Sequence, residues 1–466
     1  MDCITDPEII QAYLKDASNI EGFADTLVRP KTTEEVAEIM RHCQANSIPI
    51  TVTAQRTSTT GGPVPQGGWL LSTEKLDQIY SNTHVQGGVI LGEYQRQTEA
   101  QGLLFPPDPT SRNECSVGAA IACNASGARC FRYGAIRPWV EWVRCVLPNG
   151  DIIEADRRTP IPDDWPRAQW IEPTVKTAAG YSPADNLLDL MIGQEGTLGI
   201  ITEAKLKLIP NPSGVLGMII FFEAVSDCLD CVDELRQGAQ RPHQDALSSA
   251  LNPRAIEYFD RFSLAFIRQK VDDIPDSAVC GLFVEVEYEE EPDLDSWLEV
   301  LESHNALCDD IIAAEDDESR ARLYSIRHAI PAGVNETVIA NGMPKVGTDF
   351  SVPDTAMREM MREYQDISMP HVLFGHMGDN HLHLNFLPRT ADELIEAKRL
   401  YRVLALKAVS LGGTVSAEHG IGRIKTALLA DMVGGVVLAR FRQLKQALDP
   451  NWILGRGILL QTDQLV

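Results

Sequence analysis

Residues 375–386 carry the clearest alternation of apolar and polar positions, in the sequence GHMGDNHLHLNF. After the turn every second residue is apolar, which is the period of a β-strand with one face in a core. The apolar face carries Leu382, Leu384 and Phe386. The opposite face carries His381, His383 and Asn385, and His376 and Asp379 lie in the glycine-rich turn before them. The pattern predicts a strand that presents imidazoles on one side.

Other segments also follow helical or strand periods. Thr33 can cap a helix whose apolar residues recur at helical spacing. The segment VEWVRCVLPNGDIIEA predicts two strands joined by a turn at Asn149 and Gly150. The remaining predicted elements are strands at 48–52 and 200–209 and amphipathic helices at 225–238 and 391–411.

The composition is that of a globular protein with a large core. The chain has 466 residues, of which 44% are hydrophobic and 23% charged, and its net charge is −25. A surface this acidic argues against nucleic acid and anionic membrane as main partners. The ten cysteines are scattered, which fits reduced thiols in a cytoplasmic enzyme, or in one held at a membrane by a partner. No apolar run reaches membrane-spanning length, and the first residues do not have the pattern of a signal peptide. The oligomeric state is left open, with a homodimer as one candidate.

Two histidines and a distant glutamate form a candidate metal site. His376 lies in the turn before the predicted strand, and His383 lies on the strand. Glu418 lies in the glycine-rich segment SAEHGIG. Imidazole nitrogens with one carboxylate are a usual donor set for an open catalytic zinc site, and manganese or iron can use the same donors. The alternative is that these are ordinary polar residues on a solvated strand.

Three segments have the composition of ligand-binding loops. The first, TAQRTSTTGGPVPQGG over 53–68, offers hydroxyls and backbone N–H groups of the kind that bind phosphate. The second, over 105–134, is dominated by proline, glycine and small residues, and irregular loops of that length are uncommon unless they are functional. The third spans 192–210 and includes GQEGTLGII.

These motifs resemble one protein family. PPDPTS, NASGAR, GQEGTLGII, GHMGDNHLH and SAEHGIG occur in the order found in the FAD-linked D-2-hydroxyacid dehydrogenases, a branch of the vanillyl-alcohol-oxidase superfamily. The resemblance covers residues 26–466. It implies an α+β fold, with a two-subdomain FAD-binding domain of the PCMH type and an antiparallel-sheet cap domain with helices.

The resemblance and the shifts in composition divide the chain into four stretches. Pro210 and Pro212 close the first domain. The expected stretches are a lead-in over 1–25, the FAD-binding domain over 26–212, the substrate and cap domain with the metal site over 213–420, and a segment over 421–466 that returns to the FAD domain.

The resemblance implies three groups of FAD-binding residues. Those expected at the pyrophosphate are Thr57, Ser58, Gly61 and Gly62. Those expected to line the rest of the cofactor are Pro107, Thr110, Ser111, Gly118, Ala119, Asn124, Ser126, Gly127 and Tyr133. Those expected near the adenosine or the ring are Glu195, Gly199 and Ile201.

The first loop departs from the family pattern at two positions. Ala54 and Arg56 stand where relatives have glycine, and a Cβ restricts positive φ and close approach to phosphate. We expect either a re-shaped loop, with Arg56 as a charged clamp, or weaker FAD binding. The loop has no histidine of the kind that attaches flavin covalently, so the resemblance implies a non-covalent cofactor.

The implied reaction is oxidation of a small D-2-hydroxy acid of the D-lactate, glycolate or D-2-hydroxyglutarate class to the 2-oxo acid, with hydride transfer to flavin N5. His419 is the expected general base, Arg327 the expected carboxylate contact, and Asn385 a further hydrogen-bond donor. Asp379 is expected to orient His376. The electron acceptor stays open among a quinone, a cytochrome, an electron-transfer flavoprotein and an iron–sulfur partner subunit.

Three alternatives remain at this point. The first is a flavin oxidase, or the flavin subunit of a multi-subunit glycolate oxidase. The second is a degenerate, non-catalytic flavoprotein, which the altered first loop would allow. The third is a relative that acts on ether-lipid precursors, which fits the histidine and glutamate motifs less well.

Overall fold

The computed structural model describes residues 3–239, 241, 251–271, 274–290, 292–314 and 316–462. Its N-terminal part contains two four-stranded sheets and one two-stranded ribbon. The strands are β1 (Cys3–Ile4), β2 (Thr26–Val28), β3 (Ile50–Thr53), β4 (Trp69–Ser72), β5 (His84–Gln86), β6 (Leu103–Leu104), β7 (Val140–Val146), β8 (Ile152–Asp156), β9 (Ile200–Leu206) and β10 (Ile209–Pro210). The helices are α1 (Pro7–Gln11), α2 (Thr33–Ala45), α3 (Leu91–Glu99), α4 (Val117–Ala122), α5 (Cys130–Tyr133) and α6 (Leu187–Met191).

The two sheets differ in strand direction. The first has the order β1-β2-β4-β3, with β2 and β3 parallel to β4. The second has the order β5-β9-β7-β8 and is antiparallel throughout. The predicted turn at Asn149 and Gly150 joins β7 to β8. Gly150 has the positive φ that such a turn needs.

The second part is built on one eight-stranded antiparallel sheet. Its strands are β11 (Gly214–Phe222), β12 (Pro253–Asp260), β13 (Cys280–Tyr288), β14 (Ile312–Ala314), β15 (Val346–Gly347), β16 (Phe350–Ser351), β17 (His371–His376) and β18 (His381–Phe386). Its helices are α7 (Val225–Gly238), α8 (Arg261–Arg268), α9 (Leu294–Ser303), α10 (Asp317–Asn341), α11 (Met357–Gln365) and α12 (Ala391–Ser410). The order is β14-β11-β13-β12-β17-β18-β15, and β16 also pairs with β18.

Helices cover both faces of this sheet. Alternate residues of the central strands, among them Phe221, Phe259 and Phe283, pack on one side with the apolar residues of α8 and α10. The intervening residues, such as Ile220 and Leu282, join a larger core that also contains residues of the first part. Because both faces are covered, β12 is buried along its whole length.

Residues 453–455 lie against the first sheet. Helix α13 (Thr426–Leu448) is interrupted at Gly434, which has φ 74° and ψ 166°. After the helix, Ile50 of β3 donates its N–H to Ile453 O at 2.7 Å, and Gly455 donates to Ile50 O at 2.9 Å. Among the described residues, no helix is long and apolar enough to cross a membrane.

One prediction about local structure needs correction. The cap of α2 is Thr32, whose hydroxyl accepts the N–H of Glu35 at 3.2 Å, whereas the predicted cap Thr33 points inward to the Thr202 hydroxyl at 2.9 Å. The imidazole face of β18 is buried, with His381 0% exposed, which disagrees with the alternative of a solvated strand. The sequence pattern could not show this because the segment that covers the face comes from elsewhere in the chain.

Candidate active site

A tight hairpin between β17 and β18 brings the histidines together. A 3₁₀ turn over Met377–Asp379 and a left-handed Asn380 (φ 52°) join the strands, and asparagine tolerates that conformation better than most residues. The register pairs His376 with His381 directly. His383 follows two residues later on the same side of β18, so three imidazoles share one patch.

Glu418 completes this patch. One possible ligand atom from each of His376, His381, His383 and Glu418 lies within 4.8 Å of the others. The Glu418 carboxylate is 3.3 Å from His376 Nε2, 3.4 Å from His383 Nε2 and 3.8 Å from His381 Nδ1. Imidazole and carboxylate donors at this spacing fit a divalent cation such as zinc, manganese or iron.

The turn that carries Glu418 is held from two directions. The backbone N–H groups of Glu418 and His419 both donate to the Asp349 carboxylate at 3.1 Å. The Lys176 ammonium, from the N-terminal part, donates to Glu418 Oε2 at 3.0 Å. Although burial opposes ionisation, Lys176 and the imidazoles hold the pKa of Glu418 well below its usual value. The site therefore contains a fixed carboxylate in a buried setting.

His376 is oriented by Glu257, not by the predicted Asp379. Its Nδ1 contacts Glu257 Oε1, while Asp379 Oδ2 is buried and has no hydrogen-bond partner within the described residues. Burial alone would lower the pKa of His376, but Glu257 outweighs it and raises that pKa to about 9. This arrangement leaves Nε2 of His376 facing Glu418.

The outer nitrogens of the other two imidazoles also face acceptor oxygens. That of His383 is hydrogen-bonded, whereas that of His381 lies close to Asp349 without hydrogen-bond geometry within the described residues. His383 Nδ1 lies 3.1 Å from the carbonyl oxygen of Thr348, and His381 Nε2 lies 2.9 Å from Asp349 Oδ1. Burial lowers the pKa of both histidines. Neutral imidazoles with one nitrogen held by an acceptor are the usual state of metal-binding histidines.

His419 lies at the edge of the cluster. Its side chain is 34% exposed, with Nε2 3.4 Å from Glu418 Oε1 and Nδ1 3.4 Å from Asp349 Oδ2. Asn385 is buried, and its side-chain amide donates to His383 O at 3.2 Å. Of the three predicted catalytic residues, His419 thus lies beside Glu418, and Asn385 lies on the same strand as His381 and His383.

Arg327 reaches the cluster through Glu257. Its guanidinium donates to Glu257 Oε2 from Nε at 3.0 Å and from Nη2 at 2.6 Å. Burial opposes the charged form, but Glu257 raises the pKa of Arg327 above its usual value. The side chain is 20% exposed, and Nη1 takes no part in the pair with Glu257.

The first loop lies against the turn that carries Glu418. The Thr60 hydroxyl donates to His419 O at 3.3 Å, and Arg423 N donates to Thr60 O at 2.9 Å. Thr57 and Ser58 are half-buried, and Gly61 has φ 76°. Arg56 adopts φ 59°, the left-handed conformation that glycine would take, and its guanidinium stacks 4.7 Å from the Tyr13 ring. Arg56 therefore adopts a backbone conformation that glycine allows more easily, and its guanidinium stacks on Tyr13.

Gly118 and Gly127 of the second segment are positions of close approach. Gly118 N donates to Gly87 O at 2.7 Å, and a Cβ on Gly127 would meet Asp108 O at 2.1 Å. Ala119 lies in the first turn of α4, and Pro107 O accepts from Gln95. Thr110 is exposed and Ser111 half-buried.

Two polar atoms of the second segment support an additional ligand there. Asn124 Oδ1 and Ser126 Oγ are buried, and neither has a hydrogen-bond partner in the described part of the chain. Buried polar atoms are almost always paired, so these residues fit a polar cofactor lying against them. The hydroxyl of Tyr133, by contrast, is hydrogen-bonded to Glu287 of the second part.

Glu195 joins the two parts of the molecule. Its carboxylate accepts the N–H of Ile421 at 2.8 Å and of Gly422 at 2.7 Å. Burial raises the pKa of Glu195 to about 7. Gly199 lies just before β9, and Ile201 within that strand pairs with Cys145 of β7. Of these three, Glu195 is the one that directly supports the turn carrying Glu418.

Sequence reasoning gave no site role to Glu257, Asp349, Lys176 or His381. A signal existed for the first of them, because Glu257 occurs in a strand that is otherwise mostly apolar, and carboxylates are almost never fully buried unless paired. Asp349 follows a short strand and carries no comparable local signal. Its contacts with His381 and the 418–419 turn arise only from tertiary folding.

Comparison with known proteins agrees with this geometry. Residues 24–156 match the family described as FAD binding domain, and residues 218–459 match the family described as FAD linked oxidases, C-terminal domain. An alkyldihydroxyacetonephosphate synthase structure covers 97% of this chain and 81% of its own, with a TM-score of 0.67 and 17% identity, which is a likeness of fold.

Three curated relatives align along nearly the whole chain. The D-lactate dehydrogenase of Anaerostipes hadrus is 30% identical over 97% of this chain and 93% of its own length. The glycolate oxidase subunit GlcD of Bacillus subtilis is 27% identical over 97% and 92%, respectively. The D-2-hydroxyglutarate dehydrogenase of Xanthomonas citri pv. viticola is 29% identical over 93% and 88%.

The fold and its matches define an FAD-linked oxidoreductase with a PCMH-type FAD-binding domain, so the expected fold class is confirmed. The chain belongs to the FAD-linked D-2-hydroxyacid dehydrogenase family.

Proposed function

We propose that this protein oxidises a small D-2-hydroxy acid to the 2-oxo acid with non-covalent FAD, at a divalent cation held by His376, His383 and Glu418. The observation that carries the proposal is the convergence of these donors within 4.8 Å. Lys176 and Glu195 of the N-terminal part hold the same turn, so the donors lie where the two parts of the molecule meet.

The two bound groups supply chemistry that side chains cannot: a cation at these donors lowers the pKa of a coordinated hydroxyl, and FAD accepts a hydride at N5. The FAD-binding residues remain those that the resemblance implies. The buried, unpaired atoms of Asn124 and Ser126 support them, as does the left-handed backbone at Arg56 and Gly61.

His419 is the proposed general base. It lies next to Glu418, and a third of its side chain is accessible, so a substrate hydroxyl can approach its Nε2. Asp349 lies 3.4 Å from Nδ1 and keeps the ring oriented, which is the role of the third group in base-assisted catalysis. The proton taken from the substrate hydroxyl would rest on Nε2.

Arg327 and Asn385 are the proposed contacts for the substrate carboxylate and hydroxyl. A guanidinium binds a planar carboxylate through two parallel N–H groups. Glu257 occupies Nε and Nη2 of Arg327, so the carboxylate would meet its remaining exposed edge. Because Glu257 contacts both Arg327 and His376, it would couple substrate binding to the orientation of His376.

The names of the relatives support D-lactate, glycolate and D-2-hydroxyglutarate as the candidate substrates. A second candidate is the flavin subunit of a multi-subunit oxidase, which the match to a glycolate oxidase subunit favours. In that case an iron–sulfur partner would take the electrons. A quinone, a cytochrome or an electron-transfer flavoprotein would serve an enzyme that acts alone.

Anaerobic reduction of the flavin tests the proposal. The purified protein should be yellow, and at least one of D-lactate, glycolate and D-2-hydroxyglutarate should bleach its absorption, while L-lactate and L-2-hydroxyglutarate should not. A colourless protein, or a flavin that none of the acids bleaches, would favour the non-catalytic alternative.

A further inference from the structure

The proposed mechanism leaves His381 unused, although it is the most buried member of the cluster. Its side chain is 0% exposed. Its ring centroid lies 4.4 Å from that of His383 and 5.3 Å from that of His376. Complete burial of a polar side chain needs a compensating interaction.

The outer nitrogen of each imidazole faces an oxygen that can only accept. Those oxygens are Glu257 Oε1, the Thr348 carbonyl and Asp349 Oδ1. Asp349 also receives the Lys425 ammonium at 2.5 Å and the Ser416 hydroxyl at 2.8 Å, as an ionised carboxylate does. The inner nitrogens, His376 Nε2, His381 Nδ1 and His383 Nε2, all face the Glu418 carboxylate across one shared space.

His381 Nδ1 is the inner nitrogen of its ring. It is buried, and like Nε2 of the same ring it makes no hydrogen bond within the described residues. Glu418 Oε2 lies 3.8 Å from it. Two donors at tetrahedral positions around zinc are about 3.4 Å apart, given metal–nitrogen distances of about 2.1 Å. The spacings of 3.3 to 3.8 Å between Glu418 and the three imidazoles are close to that value.

We propose that His381 is a fourth protein ligand of the same cation, presented by Asp349. This rests on the proposed function, because it assumes a cation at His376, His383 and Glu418. Asp349 is a positioning residue here: it contacts His381 through Oδ1 and His419 through Oδ2. The same carboxylate thus aligns the fourth ligand and the proposed base.

The test compares His381→Asn with the unaltered holoenzyme. The dissociation constant for Zn²⁺ is measured by competition with a chromogenic chelator, and the visible absorption of the Co²⁺-substituted protein reports the donor set. We expect at least about tenfold weaker Zn²⁺ binding in the variant and a changed Co²⁺ spectrum, because one nitrogen donor is lost.

His371→Asn is the matched control, because His371 lies at the far end of the same hairpin, opposite Phe386. It should leave both metal readouts unchanged. Retention of FAD shows that each variant is folded, and His381→Gln is the second variant if the asparagine protein does not retain it.

Unchanged Zn²⁺ affinity and an unchanged Co²⁺ spectrum in His381→Asn would overturn the inference. If His383→Ala loses the metal in the same titration, the proposed function still stands. A wild-type protein that binds no divalent cation would overturn both the inference and the metal role in the proposed function.

Discussion

At the scale of single residues, Glu257 connects two residues with different proposed roles. Its two oxygens separately contact His376 and Arg327, which are the proposed metal ligand and the proposed substrate contact. Burial opposes its charge, but Arg327 and His376 hold the pKa of Glu257 well below its usual value. A buried carboxylate of this kind is retained only when it is paired on both sides.

The His376–Glu257 pair predicts a pH dependence of stability in the metal-free protein. The folded-state pKa of His376 is raised from 6.5 to about 9, so its contribution is complete below pH 6.5 and is lost as pH rises through about 9. The loss should be on the order of 3 kcal/mol in the free energy of unfolding. Urea unfolding between pH 6 and 10 measures it. Glu257→Gln is less stable overall, but its curve should be flatter in this window, and equal slopes would contradict the assignment.

Removing one proposed ligand should separate metal binding from flavin binding. His383→Ala should lose the cation and slow flavin reduction by substrate at least about 100-fold, because Lewis acidity accounts for several kcal/mol of such barriers. FAD should stay bound, since His383 belongs to the eight-stranded sheet of the second part and not to the FAD-binding part. Metal analysis and stopped-flow absorbance measure both effects, with His371→Asn as the control. Wild-type rates in the metal-free variant would refute the metal role.

At the scale of elements, the first loop shows how a departure from a family pattern can be accommodated. The left-handed backbone of Arg56 costs about 1 kcal/mol or more. The stacking of its guanidinium on the Tyr13 ring offsets part of that cost. The sequence showed the conflict at this position, but the stacking partner lies in the lead-in and could not be foreseen.

Two substitutions at this position test the account. Arg56→Ala keeps the left-handed backbone and loses the stacking, so it should lower the free energy of unfolding by about 1 kcal/mol. Arg56→Gly loses the stacking but relieves the backbone, so it should be more stable than the alanine variant and should retain FAD. Urea unfolding compares them, and a glycine variant less stable than the alanine variant would contradict the conformation described here.

Local patterns predicted local elements well. Helix 225–238 matches α7 because its apolar period is regular, and the alternation after Asn380 matches β18. The same patterns missed what depends on distant contacts. The cap of α2 moved by one residue because Thr33 is drawn into the core by Thr202, and the partner of His376 lies on β12.

At the scale of the whole molecule, the turn over residues 416–422 carries one proposed ligand, Glu418, and is held by residues of the N-terminal part. Glu195 accepts two of its backbone N–H groups, and Lys176 pairs with Glu418. A proposed site at such a junction depends on how the two parts are fixed together.

Loss of the Glu195 carboxylate should therefore affect the distant cation. Glu195→Ala should lower the free energy of unfolding by about 2 to 4 kcal/mol, because two backbone N–H groups lose their hydrogen bonds to a buried carboxyl group, and should weaken metal binding. The surface substitution Glu396→Ala, which removes an exposed pair with Arg399, should change neither. Unchanged metal affinity in Glu195→Ala would show that the turn holds its shape without the N-terminal part.

The most direct test is a single-turnover measurement on one protein sample in three states. Flavin reduction by the best D-2-hydroxy acid is followed anaerobically in the metal-loaded protein, after removal of the cation by a chelator, and after its return. We predict fast bleaching, then bleaching slowed at least about 100-fold with FAD still bound, then recovery. Equal rates in all three states would contradict a cation between the three imidazoles and Glu418 as part of the reaction.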